Sequence, residues 1–193
     1  NYVNHKFYGW TPAEFKNILG DLGMTMPSGH TVLRSTHWDD QAKDLNDEWK
    51  KLVENAAYMG QKYVISPSME RAWRSDYDTL MKVLDIFNKS GDLCASYGMQ
   101  FGYHNHEFEF NEKLNGETLW DIMNKNTDPK SVSMQLDIGN MYIAGALAKD
   151  IIAKYPGRYI NIHVKDQIAG QKQGSFESCI LGEGILPMKE IID

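Results

Sequence analysis

The 193-residue chain predicts an α/β fold in which parallel strands close into a barrel with a polar mouth. Three observations lead there. Apolar, β-branched runs alternate with amphipathic helical patterns along the whole sequence, joined by short connections. Neither GxGxxG nor GxxxxGK[ST] occurs, although a doubly wound nucleotide binder usually carries such a turn after its first strand. Finally, successive extended segments end on polar or ionisable residues, and strand ends are where a barrel keeps its chemistry.

The elements run in order along the chain. Thr11-Pro12, with Glu14 three residues after Thr11, starts a helix over 11–23 that stops at Gly23. Residues 24–30 are short and extended and end in His30. A long helix is expected over 39–60, with Leu45, Trp49, Leu52, Val53 and Ala56 as its apolar stripe and Gly60 at its end. A strand over 62–67 precedes a helix over 75–98, which buries Leu80, Val83, Leu84 and Phe87. The run "MQFGYHNHEF" reads as a strand, 116–126 as a helix with Leu119, Ile122 and Met123 inward, and 131–140 as a strand. Residues 146–157 form a helix stopped by Pro156-Gly157, 158–166 a strand, and 185–193 the start of another helix.

Composition narrows the function. Hydrophobic residues make up 42% of the chain and the formal net charge is -6. There is no basic block and no basic–aromatic alternation, so nucleic acid is not an expected partner. No apolar run approaches the ~18 to 20 residues needed to cross a membrane, so no membrane partner is expected either. Cys94 and Cys179 form no CxxC pair and allow at most one disulfide. No signal-peptide pattern is visible, the chain begins at Asn1, and the compartment stays open between cytoplasm and periplasm.

The strand ends carry the candidate site. Period-two alternation puts Gly102, His104 and His106 on one face, Ser133, Gln135 and Asp137 on another, and Asn161, His163 and Lys165 on a third. His104, Asp137 and His163 are residue types that bind a borderline divalent cation. Glu107 and Glu109 can supply an acid/base carboxylate, and Lys165 suits an oxyanion or a substrate oxygen. Plainer readings stand beside these. Asp137 can cap the turn after its strand, His163 can be a core histidine, and Lys165-Asp166 can be a solvated turn. The joint occurrence at corresponding places favours the site. His5, His37 and Glu183 read as structural or surface residues. An HxH followed by Glu also occurs in cupins, but the long helices exclude an all-β jelly roll.

Together "FYGWTPAEFKNIL", "SGH", "GYHNHEFEF", "QLDIGNMYIAG", "KYPGRYINIHVKD" and "LGEGILPMKEII" resemble the sugar phosphate isomerase/epimerase family. This is the xylose isomerase-like TIM barrel group, with inosose dehydratases and tagatose 3-epimerases among its members and endonuclease IV as a distant relative. The resemblance covers nearly the whole chain. It implies a (β/α)8 barrel with a divalent metal (Mn, Zn, Co or Mg) at the mouth. Asp137 matches the family Asp and His163 the family His, while His104 stands where many relatives carry Glu. Asn140 stands where relatives often have His, and His30 matches a histidine that lines the substrate pocket. In this alignment residues 1–5 are the tail of the second strand or the loop after it. The first βα unit, the eighth strand and the final family Glu have no counterpart, and Glu183 is not that residue. Residues 1–193 are thus expected to be one partial TIM-barrel domain.

The implied activity is an isomerase or epimerase that removes the proton next to a carbonyl through a metal-bound enediolate. Its metal ligands are His104, Asp137 and His163, its catalytic groups His106, Glu109 and Lys165, and its substrate contacts His30 and Asn140. Inosose-type dehydration or 3-keto-glycoside cleavage on the same site is the alternative. The substrate is a sugar, keto-sugar or cyclitol, and a homo-oligomer is compatible. A nuclease like endonuclease IV is disfavoured by the acidic balance and the few candidate ligands. A non-catalytic sugar-binding barrel fragment is the competing class.

Overall fold

A computed structural model describes residues 6–170 and 175–192. His5 and the strand tail expected over 1–5 lie outside the described residues. The chain divides into two compact units.

The first unit takes the described residues up to His104 together with Lys125–Ser133. Its sheet is parallel: β1 (Ser28–His30) and β3 (Gln100–His104) flank β2 (Tyr63–Ser66), with His30 opposite Ile65 and Ile65 opposite Gly102. Three helices accompany it. In α1 (Pro12–Asp21) the expected capping box forms: Thr11 Oγ1 accepts the Glu14 N–H at 3.3 Å, and Glu14 Oε2 accepts the Thr11 N–H at 2.9 Å. Asn46 caps α2 (Asp47–Tyr58) and Asp76 caps α3 (Tyr77–Ser96), each through its side-chain oxygen. The core is aromatic. Phe101 meets Trp49 and Phe87 edge-on, at centroid distances of 6.3 and 5.6 Å. The Trp49 indole donates to Ser90 Oγ at 2.9 Å, so a buried tryptophan and a buried serine satisfy each other. Gly91 has no room for a side chain, because a Cβ would run into the Ser131 carbonyl.

The helix expected over 39–60 is shortened at its front. Asp39 Oδ1 accepts the N–H groups of Gln41 and Ala42, which turns the backbone. Lys43 then adopts φ 51°, and Trp38–Asp39 pairs antiparallel with Asp44–Leu45. Leu45 is still buried, but on this small ladder rather than on a helix.

The second unit comprises Asn105–Asn124 and the described residues from Met134 onward. Here α4 (Phe108–Asn111) and α5 (Leu119–Asn126) precede β4 (Val132–Asp137), whose first two residues belong to the first unit. Then come α6 (Ile138–Ile143), α7 (Ala148–Lys154) and β5 (Tyr159–His163), which lies parallel to β4 with Asp137 opposite His163. Next is an antiparallel hairpin of β6 (Asp166–Ala169) and β7 (Phe176–Cys179), and then α8 (Met188–Ile192). The strand expected over 131–140 therefore ends at Asp137, where a helix starts at once. The hairpin was not expected. Nor is the apolar face of β5 packed away: Ile162 is 38% and, just past the strand, Val164 is 44% exposed. Both cysteines are free, Cys94 buried and Cys179 partly so. Among the described residues no helix is long and apolar enough to cross a membrane.

Candidate functional site

In the first unit, His30 closes β1 and His104 closes β3. Their rings lie 5.2 Å apart and tilted by 54°. His104 is buried and His30 half-buried. Gly102 keeps the space between strands clear: a Cβ there would meet Ile65 Cδ1 at 2.7 Å. His37, expected to be structural, is so. It is buried, its Nδ1 accepts the Arg34 N–H at 3.1 Å, and its Nε2 faces Glu48 at 3.7 Å.

The second unit brings four of the expected residues together. Asp137 and His163 end neighbouring parallel strands in matched register, with carboxylate Oδ2 3.6 Å from imidazole Nδ1. The other carboxylate oxygen accepts the Asn140 N–H at 2.8 Å, making Asp137 the N-cap of α6. Asp137 thus caps α6 with one oxygen while the other faces His163. Asn140 Nδ2 donates to the Asn105 carbonyl at 3.1 Å, and Lys165 Nζ donates to Asn140 Oδ1 at 3.3 Å.

Asn105 is the member that strand periodicity missed. It is fully buried. Its Oδ1 accepts the Asp137 N–H at 2.7 Å and its Nδ2 donates to the Asp137 carbonyl at 3.1 Å. A side-chain amide thus grips the backbone of Asp137 as a neighbouring strand would. The pattern signal was available in the centre of "HNH", but alternation placed Asn105 on the face opposite the histidines. The structure also corrects the strand "MQFGYHNHEF". β3 stops at His104, so His106 does not share its face by strand parity. Beyond it, Glu109 Oε2 accepts the His106 N–H at 2.8 Å, and the His106 ring stacks on Phe108 at 6.0 Å and 8°. Glu109 is fully buried, and its carboxylate holds the backbone of the turn that carries His106.

Asp166, expected at the end of the strand 158–166 or in a solvated turn, is a buried anchor at the start of β6. It is 1% exposed, and its carboxylate accepts N–H groups from Gln167, Gly182, Gly184 and Leu186. Burial alone would raise its pKa, but these four donors outweigh burial and hold it below the ordinary carboxylate value. Gly184 lies so close that a Cβ would strike Asp166 Oδ1. The loop around "LGEG" is therefore wrapped on Asp166, and Glu183 sits exposed on it.

The donor chemistry of this second unit fits a divalent ion. Two bonds of about 2.1 Å at a tetrahedral angle place their donor atoms roughly 3.4 Å apart. The Asp137 Oδ2 to His163 Nδ1 separation of 3.6 Å is close to that and too long for a hydrogen bond.

The profile of the xylose isomerase-like TIM barrel family matches residues 4–193. A sugar phosphate isomerase/epimerase of Parabacteroides distasonis ATCC 8503 is 29% identical, with a TM-score of 0.67 over 85% of this chain and 66% of that one. Another from the same organism is 27% identical, with a TM-score of 0.69 over 83% of this chain and 59% of that one. The inosose dehydratase of Geobacillus thermodenitrificans (strain NG80-2) is 26% identical over 121 residues, 58% of this chain. The match spans 39% of that relative's length. With the family profile running from residue 4 to the last residue, the chain belongs to the xylose isomerase-like TIM barrel family.

Proposed function

We propose that the chain is a divalent-metal-dependent enzyme that removes the proton next to a carbonyl of a sugar, keto-sugar or cyclitol. The observation that carries this reading is the register-matched pair Asp137 and His163, with Asn140 and Lys165 alongside. Asp137 and His163 are the ligands we assign. When bound, the metal supplies a Lewis acid that polarises the substrate carbonyl and acidifies the neighbouring C–H.

The chain's own groups do the rest. Asn105 and the α6 cap fix the Asp137 carboxylate, so it is pre-oriented rather than recruited. His106 is the base that takes the proton, and Glu109 positions it by holding its backbone N–H. Lys165 leaves Asn140 to donate to a substrate oxygen and stabilises the charge that develops there. Asn140 contacts substrate. Returning the proton to the same carbon on the other face, or to the neighbouring carbon, gives epimerisation or isomerisation. Loss of a hydroxyl from the next carbon gives dehydration, which the likeness to inosose dehydratases favours as the second reading.

The test combines metal content with proton exchange. Elemental mass spectrometry should find about one divalent ion per chain, lost in both Asp137→Ala and His163→Ala. A panel of keto-sugars and keto-inositols in D2O should take up deuterium beside the carbonyl with the wild type and not with His106→Ala. Metal-free wild type after metal supplementation sinks the reading. Binding of the panel with no exchange leaves a sugar-binding barrel instead.

A further inference from the structure

Gln167 has no part in that reading, yet its side chain sits in an uncommon place. It is the second residue of β6 and 2% exposed. Its backbone is fully used: the N–H donates to Asp166 Oδ1 at 2.9 Å and the carbonyl accepts the Ile185 N–H at 2.9 Å. Its amide Nε2 is shut off from solvent and finds no acceptor among the described residues. Burying an NH₂ group in this way costs free energy that an apolar side chain of similar size would not. Such a group points to a function the resting structure does not display.

Its neighbours suggest which. A Cβ on Gly139 would meet Gln167 Nε2 at 2.6 Å, Lys165 Cδ at 2.9 Å and Lys165 Cγ at 3.1 Å. The amide and the lysine stem therefore lie together on the bare Cα of Gly139. That glycine is two residues past Asp137, and Lys165 is two past His163. The ammonium of Lys165 rests on Asn140 Oδ1 through a long 3.3 Å bond. The lysine stem and the amide thus share one seat beside Gly139, and the ammonium is latched by one long bond.

We propose that Gln167 is a substrate-recognition residue, forming with Lys165 a subsite for two neighbouring oxygens of a polyhydroxylated carbonyl compound. When the ammonium turns from Asn140 to one oxygen, the stem lifts from Gly139 and the amide donates to the next. One cation and one neutral donor suit a hydroxyl–carbonyl or diol pair better than a phosphate, which draws several charged or backbone donors. The absence of a side chain at position 139 is what admits both groups. This subsite rests on the reading of the Asp137 site as a sugar or cyclitol site.

The test uses Gln167→Met, which keeps the length of the side chain and removes the amide. Without ligand its melting temperature should equal or exceed that of the wild type, because an unpaired buried donor has gone. Titration calorimetry with a keto-inositol and with D-fructose should show affinity about tenfold weaker than wild type, the loss of one hydrogen bond, with metal content unchanged. A clear fall in melting temperature would mean that the amide is a satisfied structural group, and would overturn the proposal. Unchanged affinity in a metal-replete variant overturns the subsite and leaves the proposed function standing. Wild type that binds neither metal nor probe overturns both. Gly139→Ala should reproduce the loss of affinity by displacing Lys165 and Gln167 from their shared seat.

Discussion

Asp137 answers two demands with its two oxygens, and substitutions can separate them. Asn caps a helix about as well as Asp, whereas Ala forfeits about 1 kcal/mol of capping. Asp137→Asn should therefore keep the wild-type denaturation midpoint and lose the metal. Asp137→Ala should lose the metal and about 1 kcal/mol of stability as well, read by urea unfolding. Asn105 is the stricter residue. Removing its amide takes a buried partner from both the N–H and the carbonyl of Asp137, and each such loss costs about 1 to 3 kcal/mol. Asn105→Leu should accordingly destabilise by roughly 2 to 6 kcal/mol, with a matching fall in the urea midpoint. The two residues also differ in how far sequence reveals them. The pairing of Asp137 with His163 is legible because each ends an apolar run with a residue type suited to a polar strand end. Asn105 is not, because its role depends on which strand end lies beside it, and alternation along its own strand says nothing of that.

The elements show the same division between local and non-local information. The capping box of α1 and the stripes of α2 and α3 are written into adjacent residues, so their existence and type follow from pattern alone. The ladder at 38–45 is not, since an Asx turn at Asp39 overrides an apolar spacing that reads equally well as helix. The hairpin of β6 and β7 has no clean alternation either, and the loop gathered on the Asp166 carboxylate organises it more than its own strands do. That organisation titrates. The Asp166 carboxyl is held below its ordinary value in the folded chain, so its contribution is present above the unfolded pKa of about 3.9 and is lost as pH falls through the lower, folded one. The loop should therefore stay wrapped at neutral and mildly acidic pH and release only in stronger acid. Amide resonances of Gly182 and Gly184 followed by NMR should hold their shifts down to about pH 4 and move together below it. Asp166→Asn, which places an NH₂ against backbone N–H donors, should shift both resonances at neutral pH. If Gly182 and Gly184 respond in the mid-range near pH 6 instead, another group controls the loop.

For the molecule as a whole, the order of βα units was readable and so was the family, because helix and strand periods alternate along most of the chain and the strand ends keep their residue types. The extent of exposed apolar surface was not: Ile162 and Val164 lie on what reads as a packing face and remain open. A chain of this kind should depend on its ligand for part of its stability. An ion that binds only the folded state adds about 2.7 kcal/mol when present at a hundred times its dissociation constant. For a chain of this length about 1 kcal/mol moves the melting temperature by roughly 2 to 4 °C. Saturating Mn²⁺ should therefore raise it by about 5 to 10 °C, and a chelator should reverse the gain. His163→Ala should melt at nearly the same temperature as metal-free wild type, since the His163 side chain is 45% exposed, yet it should show none of the gain. Lys165→Ala, which removes a proposed substrate contact but no ligand, should keep the gain in full. An equal rise in wild type and His163→Ala would place the ion elsewhere on an acidic surface and separate metal binding from the Asp137 site.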